Sequence, residues 1–168
     1  RRETLIAALA IIGVTSAVNT AERWLDIAKK DAEALTNERD EEEKAALMRS
    51  LGLQPGDPIP TNLKSDLRAL EEGQKRRATR SVRDGLDRIL VDLLSLYRDV
   101  LTLQISAQVA LVNEDLRTGI NEIAGITTAA ETIHKLDAIA EARIRIDSNV
   151  RDLMVLESLA VSLRNRAG

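Results

Sequence analysis

Two long series of apolar residues set the plan of this chain. Val82, Leu86, Ile89, Leu93, Leu96, Val100 and Leu103 return in alternating four- and three-residue steps, and Val14, Val18, Ala21, Leu25, Ala28, Ala32 and Leu35 keep the same rhythm. That spacing puts each series on one face of a helix and predicts two long helices, each with a seam that needs a partner lying alongside. Ahead of them, Arg2 to Ile12 reads as a short apolar helix ended by Gly13, with Thr15 or Ser16 capping the next one. Beyond Leu35 the seam fails. Thr36 to Lys44 is almost wholly polar, and Ala45, Leu47, Met48 and Leu51 then form a small apolar group.

Gly52 to Pro60 contains all three prolines of the chain and two glycines, so it predicts a loop joining two helical arms. Thr61 or Asn62 then caps a helix through Leu63, Leu67 and Leu70 that is expected to bend between Thr79 and Gly85 and to continue to about Ala107. Gly85 is the reason for the bend, because glycine inside a helix costs on the order of 1 kcal/mol relative to alanine. A short extended connection to Asn113, a modest helix from Asn113 or Glu114 to about Ile123, and a break at Gly125 follow. Thr127 or Thr128 starts a final long helix carrying Ile133, Leu136, Ile139, Ala140, Ile144, Val150 and Leu153 to Leu163. The expected fold is all-α, a bundle of about five helices with an antiparallel helical hairpin over about residues 30 to 80 and a tip loop at 52 to 60.

Charge sharpens the hairpin. Asp26 to Glu43 holds eight acidic residues against three basic ones, and Thr61 to Arg83 holds seven basic against three acidic. Opposite charge on opposite arms selects pairing and register more than it adds stability, since exposed ion pairs are worth about 0 to 1 kcal/mol. Within the second arm, Lys75, Arg76, Arg77, Arg80 and Arg83 place five cations in nine positions. Such a cluster suits contact with phosphates. The facing acidic arm and the absence of interleaved aromatics make a neutralised, solvated face the better expectation.

Composition excludes more than it suggests. The chain is 44% hydrophobic but has one Trp, one Tyr and no Phe, so its core must be built from Leu, Ile, Val and Ala on helices. Trp24 adjoins Leu25 and Tyr97 adjoins Leu96, which places both at the edge of the core with their polar atoms outward. The net charge of −3 gives no global attraction to nucleic acid or to an anionic membrane. No Cys and a single histidine, His134, leave no disulfide framework and no zinc-ligand spacing. There is no phosphate loop, GxGxxG, HExxH or Gly-flanked nucleophilic Ser, so no catalytic, cofactor or metal site is expected. Arg1, Arg2 and the apolar run after them imitate a secretory signal. The run is too short to span a bilayer and the amphipathic rhythm passes straight through it, so it reads instead as a packed helix opening a domain of a longer cytoplasmic protein.

The run QKRRATRSVRDGLDRILVDLLSLYRDVLTLQ, residues 74 to 104, resembles the delta-prime subunits of the bacterial DNA polymerase III clamp loader. The likeness is strongest over Glu72 to Gln104 and weaker over Arg1 to Ala10 and Ala138 to Arg164. It implies a single collar domain over residues 1 to 168, without the parent subunit's N-terminal ATPase-like and lid domains. It further implies a non-catalytic role: joining delta and gamma/tau subunits into the ring that loads the sliding clamp in DNA replication. The last helix and the Val82 to Leu103 helix are the surfaces expected to meet neighbours. DNA contact is expected to be indirect or weak, with no membrane or small-molecule partner. The competing expectation is a homodimeric coiled-coil adaptor or signalling bundle that pairs through the Val14 to Leu35 seam.

Overall fold

A computed structural model describes residues 1–53, 60, 64–148 and 150–165. Among them every regular element is helical: α1 (Arg2–Leu9), α2 (Val14–Ser50), α3 (Lys64–Gln104), a 3-10 turn (Glu114–Leu116), α4 (Arg117–Ile126), α5 (Ala129–Asp147) and α6 (Asp152–Leu163). The all-α helical bundle expected from the periodicity is the observed class. The chain forms two compact units, Arg1–Ile27 with Leu86–Gly168, and Ala28–Gly85.

The first unit is built on large apolar side chains. The seam of α3 is buried from Leu86 to Val100, and Leu90 and Tyr97 widen it into a face two rows across. Trp24 and Tyr97 correct the sequence reading, since both are fully buried. The indole Nε1 points inward and donates to the Thr4 carbonyl at 3.2 Å. The Tyr97 hydroxyl has no hydrogen-bond partner among the described residues. With no Phe available, these two rings fill space that Leu and Ile cannot.

The expected single last helix is two helices. α5 ends at Asp147 and α6 begins at Asp152. Lys135 on α5 bonds Asn165 just past α6, so the two run antiparallel and pack on each other. Asp147 and Ser148 favour turns over helix interiors, and the Ser148 hydroxyl donates back to the Ile144 carbonyl. Folding the segment back changes which residues are core. Ile139, Ala142 and Ile146 are buried on α5, whereas Ile133 and Ile144 face outward.

Local signals set the helix ends. Ser16 caps α2 from inside the first turn, its hydroxyl oxygen accepting from the Gly13 N–H at 3.0 Å. Thr128 and Glu131 form a reciprocal capping box at the start of α5. α4 runs through Gly125 to Ile126, so that glycine does not end it. At the end of α2, Gly52 has φ +72°, with Leu53 N–H bonded to Met48 O and Gly52 N–H to Arg49 O. This is a Schellman stop, in which a left-handed residue satisfies the last carbonyls. α3 ends the same way at Ser106, whose φ of 54° is unusual for a residue with a Cβ.

The second unit pairs the late part of α2 with the early part of α3. Ala28 lies against Gly85, the Asp40 carbonyl accepts from Gln74 at 2.8 Å, and Glu43 accepts from Arg77 at 2.5 Å. Ala28 meets Gly85, and a dozen residues farther along α2 the partners of Asp40 and Glu43 lie back at Gln74 and Arg77, so the segments are antiparallel. Two expectations change here. α3 is continuous from Lys64 to Gln104, with no break between Thr79 and Gly85. Gly85 is there for close approach: a Cβ on it would stand 3.3 Å from the Ala28 Cβ. The heptad of α2 also gives way to four-residue steps. Ala28, Ala32 and Thr36 are buried while Leu35 is 67% exposed, and Val14 at the start of the series is exposed too. Small residues on an i, i+4 row let two helices approach closely, which a bulky alternating seam would prevent. The expected tip loop and the Thr61 or Asn62 cap fall largely on residues 54–59 and 61–63, outside the described residues.

Candidate functional site

Three features outside the apolar core carry polar or surface chemistry: a buried lysine beside a cavity, a buried aspartate network, and the basic cluster of α3.

Among the described residues of the first unit, Lys135 is the one cation drawn into the interior, at 6% exposed. Its Nζ donates to Asn165 Oδ1 at 2.7 Å and lies 5.4 Å from the centre of the Tyr97 ring. Burial pushes the ammonium down to about 8, against the opposing pull of the Glu131 charge. A cavity of about 310 Å³ adjoins it, lined by Thr127, Glu131, His134, Ser162 and Arg164 among others. The polar groups there already hold structure. Glu131 accepts from the Thr128 N–H and hydroxyl, and Asn165 bonds the Ile11 carbonyl through its N–H and the Leu9 carbonyl through Nδ2. The cluster fastens the end of α6 to α1 and to the start of α5.

Asp99 is fully buried. It accepts from the Val112 N–H at 3.1 Å, the Asn113 N–H at 2.7 Å and Asn113 Nδ2 at 2.9 Å. Arg98 lies 3.1 Å away. Asn113 Oδ1 in turn accepts from Arg1, which also bonds Asp92 at 2.7 Å. A carboxylate that takes up two backbone N–H groups pins the irregular 105 to 113 connection to α3. Neither Asp99 nor Lys135 was singled out by periodicity, because a charged residue within an amphipathic helix carries no mark of being turned inward.

The basic cluster is not a single site. Arg77 faces α2, where it bridges Asp40 at 2.6 Å and Glu43 at 2.5 Å. That pairing and a second bond from Arg39 hold the Glu43 carboxyl down to about 2, while the Arg77 guanidinium is raised. Lys75, Arg76 and Arg80 are exposed, and Arg83 is half-buried. Arg76 stands 3.9 Å from Glu72 with both side chains about three-quarters exposed, a weak and screened contact. Lys75 and Arg80 have no ion-pair partner among the described residues. The acidic arm therefore neutralises Arg77 directly and leaves Lys75 and Arg80 without an ion pair among the described residues, where the sequence had suggested it would neutralise the group.

Exposed apolar residues mark the remaining surface. Ile133 and Ile144 on α5 and Met154 on α6 are about half exposed or more, while the α3 seam is covered by the chain itself. No group of acidic residues or His among the described residues is placed to hold a metal ion, and none of their helices is long and apolar enough to cross a membrane. No protein-family model, curated protein or solved structure matches this chain.

Proposed function

We propose that this chain is a non-catalytic assembly domain, the collar of a DNA polymerase III delta-prime subunit, which joins delta and gamma/tau in the clamp-loader ring. The observation that carries this reading is where the resembling stretches lie. Arg1 to Ala10, Ala138 to Arg164 and the Leu86 to Gln104 part of the Glu72 to Gln104 stretch are far apart in sequence yet belong to one compact unit, while Glu72 to Gly85 belongs to the other. Arg1 bonds Asp92, Arg143 bonds Asp87 at 2.7 Å, and Asn165 bonds Leu9 and Ile11. Two fragments of likeness and the larger part of the third, gathered in one unit, support one inherited domain. The exposed Ile133, Ile144 and Met154 on α5 and α6 offer apolar surface for neighbouring subunits. A homodimer through the α2 seam is disfavoured, because Ala21, Ala28 and Ala32 are already covered within a single chain.

A pull-down against gamma/tau and delta collar domains, with analytical ultracentrifugation of the chain alone, tests the reading. A monomer that captures both partners is expected. A tight homodimer that captures neither overturns it.

A further inference from the structure

We propose that the outward strip of α3 formed by Lys75, Arg76 and Arg80 binds the phosphate backbone of nucleic acid, independently of base sequence. This goes beyond the collar reading and does not rest on it.

The inference starts from how the hairpin divides its charges. Gln74, Arg77 and Gly85 face α2, as their contacts with Asp40, Glu43 and Ala28 show. At 100° per residue, Arg76 and Arg80 stand on the far side of the helix from that line, one turn or about 6 Å apart, with Lys75 beside them. Their charges remain in solvent, while the charge of Arg77 is spent on the hairpin. The pairing thus separates a structural arginine from Lys75 and Arg80, which have no ion-pair partner among the described residues, and from Arg76, which keeps only an exposed 3.9 Å contact with Glu72.

The composition of the strip indicates its partner. Thr79 is the exposed residue between the cations, and Ala78 is half-buried. With no aromatic or large apolar side chain, the strip has no pocket for the side chains of an acidic peptide and no platform on which to stack a base. It can recognise only a repeating anion, and phosphates along a strand are such a ligand. Two of the three cations are arginines, whose planar forks pair with phosphate in two-pronged fashion.

The test is fluorescence anisotropy of a labelled duplex and a labelled single strand, each in two unrelated sequences, titrated with the 168-residue chain between 50 and 200 mM KCl. Three phosphate contacts predict a loss of affinity over that range of about 40-fold for the duplex and about 20-fold for the single strand, equal for both sequences. K75A/R76A/R80A should abolish most of this salt dependence with an unchanged helical circular dichroism spectrum, since all three side chains face solvent. Arg80→Gln alone should lower the salt slope by about one and serves if the triple variant misfolds. DNA affinity that the substitutions leave unchanged overturns the proposal, as does tighter binding of a poly-glutamate peptide than of DNA at equal salt.

Discussion

The two units are held together by different kinds of residue. Arg1–Ile27 with Leu86–Gly168 buries Trp24, Tyr97 and rows of Leu and Ile, and it ties its irregular segments down with the interior charges of Asp99 and Lys135. In Ala28–Gly85 the fully buried described residues are small, namely Ala28, Ala32, Thr36 and Gly85, and the cross-helix links described are polar. Burial of apolar surface scales with side-chain size, at roughly 25 cal/mol per Å². The first unit therefore draws on the hydrophobic effect, and the second depends on close backbone approach and on charges in water. Uneven stability along a chain takes this form, with opening free energies low where few apolar contacts close a segment.

The largest effects should come from the first unit. Leu93→Ala leaves a cavity in a fully buried position and is expected to cost about 2 to 5 kcal/mol, measured by urea unfolding. Asp99→Ala should follow at about 3 kcal/mol, because it leaves the Val112 and Asn113 N–H groups buried without an acceptor. A loss below 1 kcal/mol would mean that the 105 to 113 connection does not depend on this carboxylate. The second unit should respond locally. Gly85→Leu must push Ala28 away and is expected to cost about 1 to 3 kcal/mol, seen as faster amide exchange within residues 28 to 85 and little change in α5 and α6. Uniformly faster exchange across the whole chain would erase the distinction between the units.

The legible parts of this fold were those written in repetition. The helical class and the buried α3 seam from Leu86 to Val100 follow from spacing, and the α5 cap is legible to within one residue, Thr127 or Thr128, of which the structure uses Thr128. Periodicity erred where a neighbour decided the matter. It read Gly85 as a weak point in α3, because a helix considered alone gives glycine no purpose, whereas Ala28 supplies one. It joined α5 to α6, because an apolar rhythm can resume after a turn with the chain reversed. At the basic cluster, composition found the residues but not their division, since only the register of the hairpin tells Arg77 from Arg76 and Arg80.

The smallest expected effect separates the two units by the pH window in which it is felt, stability rising with pH in both. In the second unit, the Glu43 carboxyl is lowered to about 2 by Arg77 and Arg39. A group with a depressed folded pKa stabilises the fold above its unfolded value near 4.5, and that contribution is lost as pH falls from there toward 2. In the first unit, Lys135 is lowered by burial to about 8 from 10.5. Between those values the unfolded chain binds more protons than the folded one, so stability rises with pH and levels off above about 10.5; below about 8 the cost of burying the charge is constant. Arg77→Met should therefore bring the Glu43 titration, followed by carboxyl NMR, back toward 4.5 and flatten the acid side of the stability profile. Lys135→Met should flatten only the alkaline side. Exchange of the two outcomes between the variants would show that the charges of the two units had been assigned to the wrong environments.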